Sequence, residues 1–126
     1  MKYTVLLLIL ASTLHAKRIN PESWYQKALA KSWGAKTEVS VPNGRVDIVG
    51  KTYATEVEFA DKWKESIGQA LWYSIQTNKK AGIVLICEKQ SDLKHLIRLC
   101  SVIAHSKLYV KVWSLTLNNG KLILAE

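Results

Sequence analysis

The chain has 126 residues, 48% hydrophobic and 22% charged, with 18 Lys and Arg against 10 Asp and Glu and a formal charge of +8. That length holds one hydrophobic core, and no Pro/Gly/Ser-rich linker, internal repeat or low-complexity stretch marks a modular or disordered chain. The basic excess favours a polyanionic partner, nucleic acid or an anionic surface, and charge alone does not choose between them.

The first residues read as an export signal. Lys2 precedes an apolar run from Val5 to Ala11, then Ser12-Thr13-Leu14-His15-Ala16 supplies a small residue at a cleavage point. The run is well short of the ~20 apolar residues that cross a bilayer, so no membrane anchor is expected. A buried N-terminal strand or helix is the other reading of the same run. On the export reading, residues 1–16 leave as a signal peptide and 17–126 form a single exported domain, periplasmic or secreted. Removing Lys2 lowers the charge from +8 to about +7.

Asn20-Pro21-Glu22 opens a helix, with Asn20 as cap, and Gly34 ends it after Trp24, Tyr25, Ala28, Leu29 and Trp33. Three strands follow as a meander: Thr37–Val41, Arg45–Val49 and Tyr53–Phe59, turning at Pro42-Asn43-Gly44 and at Gly50-Lys51. A second helix spans Asp61 to Asn78, with Trp63, Ile67, Ala70, Leu71 and Ser74 as its core stripe. Gly82–Cys87 is a continuous apolar strand, suited to burial on both faces. Ser91 or Asp92 caps a third helix through His105, with Leu93, Leu96, Ile97, Cys100, Ile103 and Ala104 at helical spacing. Leu108–Leu115 and Lys121–Ala125 are strands joined by the turn Asn118-Asn119-Gly120. The order α-β-β-β-α-β-α-β-β puts a helix between the third and fourth strands, which predicts a parallel pair with a right-handed crossover.

Two cysteines in an exported chain invite a disulfide. Cys100 lies about nine residues into its helix, which at ~1.5 Å per residue carries it back along the sheet away from Cys87. Two separate buried thiols are therefore expected.

Alternation along Tyr53–Phe59 places Glu56 and Glu58 on one face, and Asp47 sits on the preceding strand between Val46 and Ile48. Three carboxylates on neighbouring strands repel one another unless a cation lies between them, and a divalent ion bound by hard oxygens meets that need. An exposed acidic face paired with Arg45 and Lys51 is the plainer reading. Glu22 fits a helix-dipole residue better than an outer member of the cluster. His95 and His105 lack zinc-site spacing, and no phosphate-cradling Gly loop or serine nucleophile elbow is present.

This order of elements, with these residues on it, resembles the PD-(D/E)XK nuclease superfamily. Gly44-Arg45-Val46-Asp47-Ile48 is similar to its first motif, without Pro before the Asp. Glu56-Val57-Glu58 is similar to its (D/E)XK motif, with Glu58 in place of Lys. Gln69-Ala70-Leu71-Trp72-Tyr73 is similar to the QxxxY motif of its RecB-like branch. The resemblance, over about Asn20 to Cys87, implies an α/β fold: a restriction-endonuclease-like α-β-β-β-α-β core, a mixed central sheet with helices on both faces, and a C-terminal α-β-β extension. It implies a metal-dependent nuclease in which Asp47, Glu56 and the Val57 carbonyl hold Mg²⁺ or Mn²⁺. Glu58 or Lys62 would orient the attacking water, and Gln69 would hold the substrate or the ligand network. Lys62 enters because Lys62, Ser66, Gln69 and Tyr73 share one helical stripe, from which Lys64 is turned away. Tyr73 and Trp72 are candidate substrate contacts. Trp72 stacks on a base or packs under the first helix with Trp24. The expected partner is nucleic acid, DNA in preference to RNA. A non-catalytic nucleic-acid-binding domain on the same fold, or an exported basic interaction protein, is the alternative.

Overall fold

The structure is a computed structural model that describes residues 17–126; the expected signal peptide and its cleavage point at Ala16 lie outside the described residues. Helix α1 (Glu22–Trp33) ends where Gly34 takes the left-handed conformation, φ 61°, and donates its N–H to the last carbonyls. Its N-cap is Pro21, without a side-chain cap bond. Asn20, expected to cap, lies one residue too early and turns its amide toward the Tyr25 hydroxyl, 3.5 Å away.

Strands β1 (Lys36–Val41), β2 (Gly44–Val49) and β3 (Tyr53–Phe59) form the expected meander. A 3₁₀ turn at Ala60–Lys62 leads into α2 (Trp63–Thr77), which Asn78 closes at φ 52°. Then come β4 (Lys80–Cys87), a second 3₁₀ turn at Gln90–Asp92, α3 (Leu93–His105), β5 (Val110–Asn118) and β6 (Lys121–Ala125). Neither Ser91 nor Asp92 caps α3 with its side chain. The Asp92 carboxylate instead accepts the Lys89 N–H at 3.1 Å, which fixes the 3₁₀ turn before the helix.

The six strands make one mixed α/β sheet in the order β1-β2-β3-β4-β5-β6. The pairs β3–β4 and β4–β5 are parallel and the others antiparallel. Both parallel steps cross over through a helix, as a parallel connection requires. Tyr25, Leu29 and Ala30 of α1 pack on one face, against Val57, Phe59, Val84, Ile86, Trp113 and Leu115. On the other face Trp63 and Ala70 of α2 and Leu99 of α3 pack against Ala81, Ile83, Leu85 and Cys87. Because β4 contributes to both clusters, its uninterrupted apolar run has a physical reason. Among the described residues, no helix is long and apolar enough to cross a membrane.

The helix phases differ from expectation. In α2 the buried residues are Trp63, Ser66, Ala70 and Tyr73, while Leu71 and Ser74 are only half-buried. Ser66 bonds the Trp63 carbonyl at 2.6 Å and the Tyr73 hydroxyl accepts the Arg45 N–H at 3.3 Å, so both polar tips are satisfied inside. In α3 only Leu99 is fully buried, and Ile97 and Ala104 of the expected stripe are exposed. Cys87 is a buried free thiol as expected; Cys100 is also free but exposed, because its helix presents Leu99 to the sheet instead.

Candidate functional site

The β2–β3 ladder is short. Its partners are Ile48↔Thr55 and Val49↔Ala54, and pairing stops there. Continued in register, Asp47 would lie opposite Glu56. Instead the Asp47 Oδ2 accepts the Val57 N–H at 2.9 Å, so a side chain occupies the place of a backbone acceptor. On the other side, the β1–β2 register skips the Glu38–Asp47 pair, and Glu38 has φ 50°. Two interrupted ladders thus leave Asp47 at a gap in the sheet, flanked by regular pairing on one end of each strand.

Glu56 and Glu58 alternate with Val57 and Phe59, whose side chains join the core on the α1 face. Glu56 is 5% exposed, and among the described residues no hydrogen-bond partner reaches its Oε1. Its neighbour is Asp47. Burial first, then the charge and hydrogen bond of Asp47, push Glu56 up to about 9. Burial also raises Asp47, opposed by the Val57 N–H and by a hydrogen bond from Glu56. Both carboxyls are thus held above their ordinary range, Glu56 the more plainly, because burial, and for Glu56 the charge of Asp47, disfavours ionising the pair together.

A second pair stands beside it. Glu22, in the first turn of α1, is raised to about 8 by burial, then by the charge of Glu58 and a hydrogen bond to it. Asp47 adds a smaller push on Glu22, and Gln26 steadies it by donating Nε2 to Glu22 Oε1 at 2.9 Å. Glu58 is raised by burial and lowered by Glu22, by the Phe59 N–H at 3.1 Å, and by the charge of Lys62. Glu22 is thus part of the cluster, not only a helix-dipole residue. Its first-turn position gave the dipole reading; its second role depends on α1 packing against β3, which sequence spacing does not encode.

The remaining expected site residues are placed as follows. Lys62 ends the 3₁₀ turn, exposed, with its charge acting on Glu58. Gln69 is on the exposed flank of α2 and makes no hydrogen bond to the carboxylates among the described residues. Tyr73 is buried against β2, with Val46 and Ala54. Trp72 is 46% exposed, and since α1 and α2 lie on opposite faces it does not pack under α1. Trp24 stacks edge-on against Tyr25, at 5.0 Å between ring centroids. Pairing of the acids with Arg45 and Lys51 is not what the structure shows: Arg45 contacts Glu38 at 3.9 Å, and Lys51 forms no ion pair among the described residues.

The donor set fits a hard divalent cation, since carboxylates and a backbone carbonyl are the ligands Mg²⁺ and Mn²⁺ take. Glu56 Oε1, buried and without a hydrogen-bond partner among the described residues, is an oxygen that such an ion could satisfy. Among the described residues no three His, Cys, Asp or Glu side chains already surround one point as a ligand set; the carboxyls are turned to one another and to backbone N–H.

Comparison with known proteins places this chain beside segments of larger viral ones. It is 40% identical over 65 residues to the KilA-N domain-containing protein L32 of Acanthamoeba polyphaga mimivirus, covering 51% of this chain and 18% of the relative. With the similarly named L33 of the same virus the identity is 31% over 80 residues, 63% of this chain and 32% of the relative. With R878 it is 27% over 82 residues, 64% and 23%. The chain thus spans no more than a third of the length of these relatives, and their shared name describes the whole proteins. No family model and no solved structure matches the chain.

Proposed function

We propose that this chain is a nucleic-acid-binding domain built on a restriction-endonuclease-like core. The observation that carries the reading is the combination of a +8 chain with an α-β-β-β-α-β core whose acids gather at one break in the sheet. The remaining surface is left basic, which suits phosphate contacts. Similarity to segments of the KilA-N domain-containing proteins supports binding more than catalysis.

A second reading, metal-dependent phosphodiester hydrolysis on DNA in preference to RNA, is favoured by the four-carboxylate cluster. Asp47, Glu56 and the Val57 carbonyl would hold the ion, with Glu22 and Glu58 around them. A bound Mg²⁺ or Mn²⁺ supplies a water of lowered pKa and polarises the phosphate. The chain's own contribution is to hold Asp47 rigidly on the Val57 N–H, to keep water from Glu56, and to set Lys62 beside Glu58. Export is part of the same proposal, and N-terminal sequencing of exported protein should begin at Lys17.

Purified protein mixed with plasmid and labelled oligonucleotides, with and without Mn²⁺, separates the readings. Salt-sensitive binding without cleavage supports the binding domain. Cleavage that needs Mn²⁺ and disappears in Asp47→Ala supports the nuclease. Absence of both removes the proposal.

A further inference from the structure

A separate groove lies where β3, β4 and β5 begin. It encloses about 690 Å³ and is lined by Tyr53, Ile75, Lys79, Lys80, Tyr109 and Lys111, together with the last turn of α2. The sheet register builds it: Tyr53 pairs with Lys80 and Gly82 with Lys111, so the first residues of three adjacent strands share one rim. Among the described residues no acidic side chain lines it. Lys111 is bonded to Glu126 at 2.7 Å, while Lys79 and Lys80 form no ion pair among the described residues. Lys79 donates to the Lys51 carbonyl at 2.9 Å, which fixes its position without cancelling its charge. At the end of α2 the Ser74 and Ile75 carbonyls accept the Lys79 and Asn78 N–H groups, so two of the last four carbonyls are already satisfied.

The aromatic side chains are the second feature. Tyr109 is 97% exposed and Ile75 73% exposed, side chains that a monomer surface gains nothing by presenting together. Tyr53 carries the Lys111 ammonium 5.8 Å from its ring centroid. Ammonium groups beside an open aromatic face are the pairing that holds phosphate and base of an unpaired strand.

We propose that this groove binds single-stranded nucleic acid, with Lys79 and Lys80 on the phosphates and Tyr109 stacked on a base. The proposal rests on the nucleic-acid reading above and adds a site and a strandedness to it. Tyr53 and Glu58 stand five positions apart on β3, about 16 Å at strand spacing, so a mononucleotide does not reach both sites and an oligonucleotide does.

The test is fluorescence anisotropy with labelled oligothymidylate of about ten nucleotides, within the usual single-strand site size. A duplex of equal length runs beside it. Tyr109→Ala should weaken oligothymidylate binding about 10-fold and leave duplex binding nearly unchanged, because only unpaired bases offer a free face to a ring. The double variant Lys79→Ala/Lys80→Ala should lower the slope of log K against log salt by about 1.4 on the single strand. Both variants should keep the wild-type far-UV circular dichroism, since Tyr109 and Lys80 are exposed and Lys79 loses one bond to a loop carbonyl. Wild type that binds while both variants bind equally well overturns the groove and leaves the general reading standing. Equal losses on single strand and duplex overturn the stacking. Wild type that binds neither probe overturns both proposals.

Discussion

Glu56 reports how the carboxylate cluster is balanced. Its carboxyl is raised from 4.5 to about 9 by burial and Asp47, and Glu22 from 4.5 to about 8 by burial and Glu58. The unfolded chain releases these protons near 4.5, whereas the folded chain keeps them to about 8 and 9. Between those limits the folded state binds more protons, so stability falls as pH rises. Their contribution is complete below about 4.5 and is lost as pH passes through 8 and then 9. Glu56→Gln keeps the shape and removes one titration. Urea unfolding across this range should show the variant more stable than wild type at the alkaline end, with the difference shrinking toward acid; parallel curves would show that Glu56 is not held protonated. At Lys62 the expectation concerns rate. If the cluster hydrolyses phosphodiesters, Glu58 cannot supply the positive charge that the transition state needs, and Lys62, whose charge already acts on Glu58, can. Lys62→Ala should lower cleavage by about 10²-fold, as for loss of one charge-stabilising donor. Lys64→Ala should not, because its ammonium sits over the Trp63 ring, 5.8 Å from the centroid. Equal rates in wild type and Lys62→Ala would leave the water to Glu58.

At the scale of elements, strands were far more legible than helix faces. β3 and β6 begin and end where alternation and turn residues place them, because a period of two and a Gly- or Asn-bearing turn fix register locally. In α2, burial of Ser66 and Tyr73 was hidden because each polar tip is bonded close by, and side-chain polarity alone argues for solvent. The apolar arc of α3 is broad, with Leu99 toward one edge and Ile97 at the other, so spacing alone did not select between them. That Asp47 and Glu56 would be neighbours was legible from adjacent strands; Glu22, which acts on both that pair and Glu58, was not, because it joins from an element distant in sequence. Gly82 in β4 is a further position that only packing explains. A Cβ there would lie 2.7 Å from Thr55 Oγ1 and 2.8 Å from the Trp113 ring. Both neighbours are buried, so neither yields cheaply. Gly82→Ala should cost about 1–3 kcal/mol in urea unfolding, as overpacking a core does, despite the entropic advantage of Ala. A neutral or stabilising result would mean that Trp113 repacks freely.

For the whole molecule, the arrangement of charge sets a conflict that a polyanion must meet. The chain carries +8, yet Glu22, Asp47, Glu56 and Glu58 are gathered at one break in the sheet, and a phosphate backbone crossing that break encounters carboxylates. Protons on Glu56 and Glu22 relieve part of the repulsion near neutrality; burial raises Asp47 as well, while the Val57 N–H and Glu56 favour its charged form. Removing that charge while keeping the acceptor for the Val57 N–H isolates its effect, and Asp47→Asn does so. In the presence of chelator, Asp47→Asn should bind duplex DNA several-fold more tightly than wild type, because a local like charge is gone. The slope of log K against log salt should not change, since it counts lysine and arginine contacts to phosphate, which are untouched. Added Mn²⁺ should tighten wild-type binding and have little effect on the variant. Duplex affinity that is unaltered by both Asp47→Asn and Mn²⁺ would place the polymer away from the carboxylates, leaving DNA binding intact and removing phosphodiester hydrolysis as the work of this cluster.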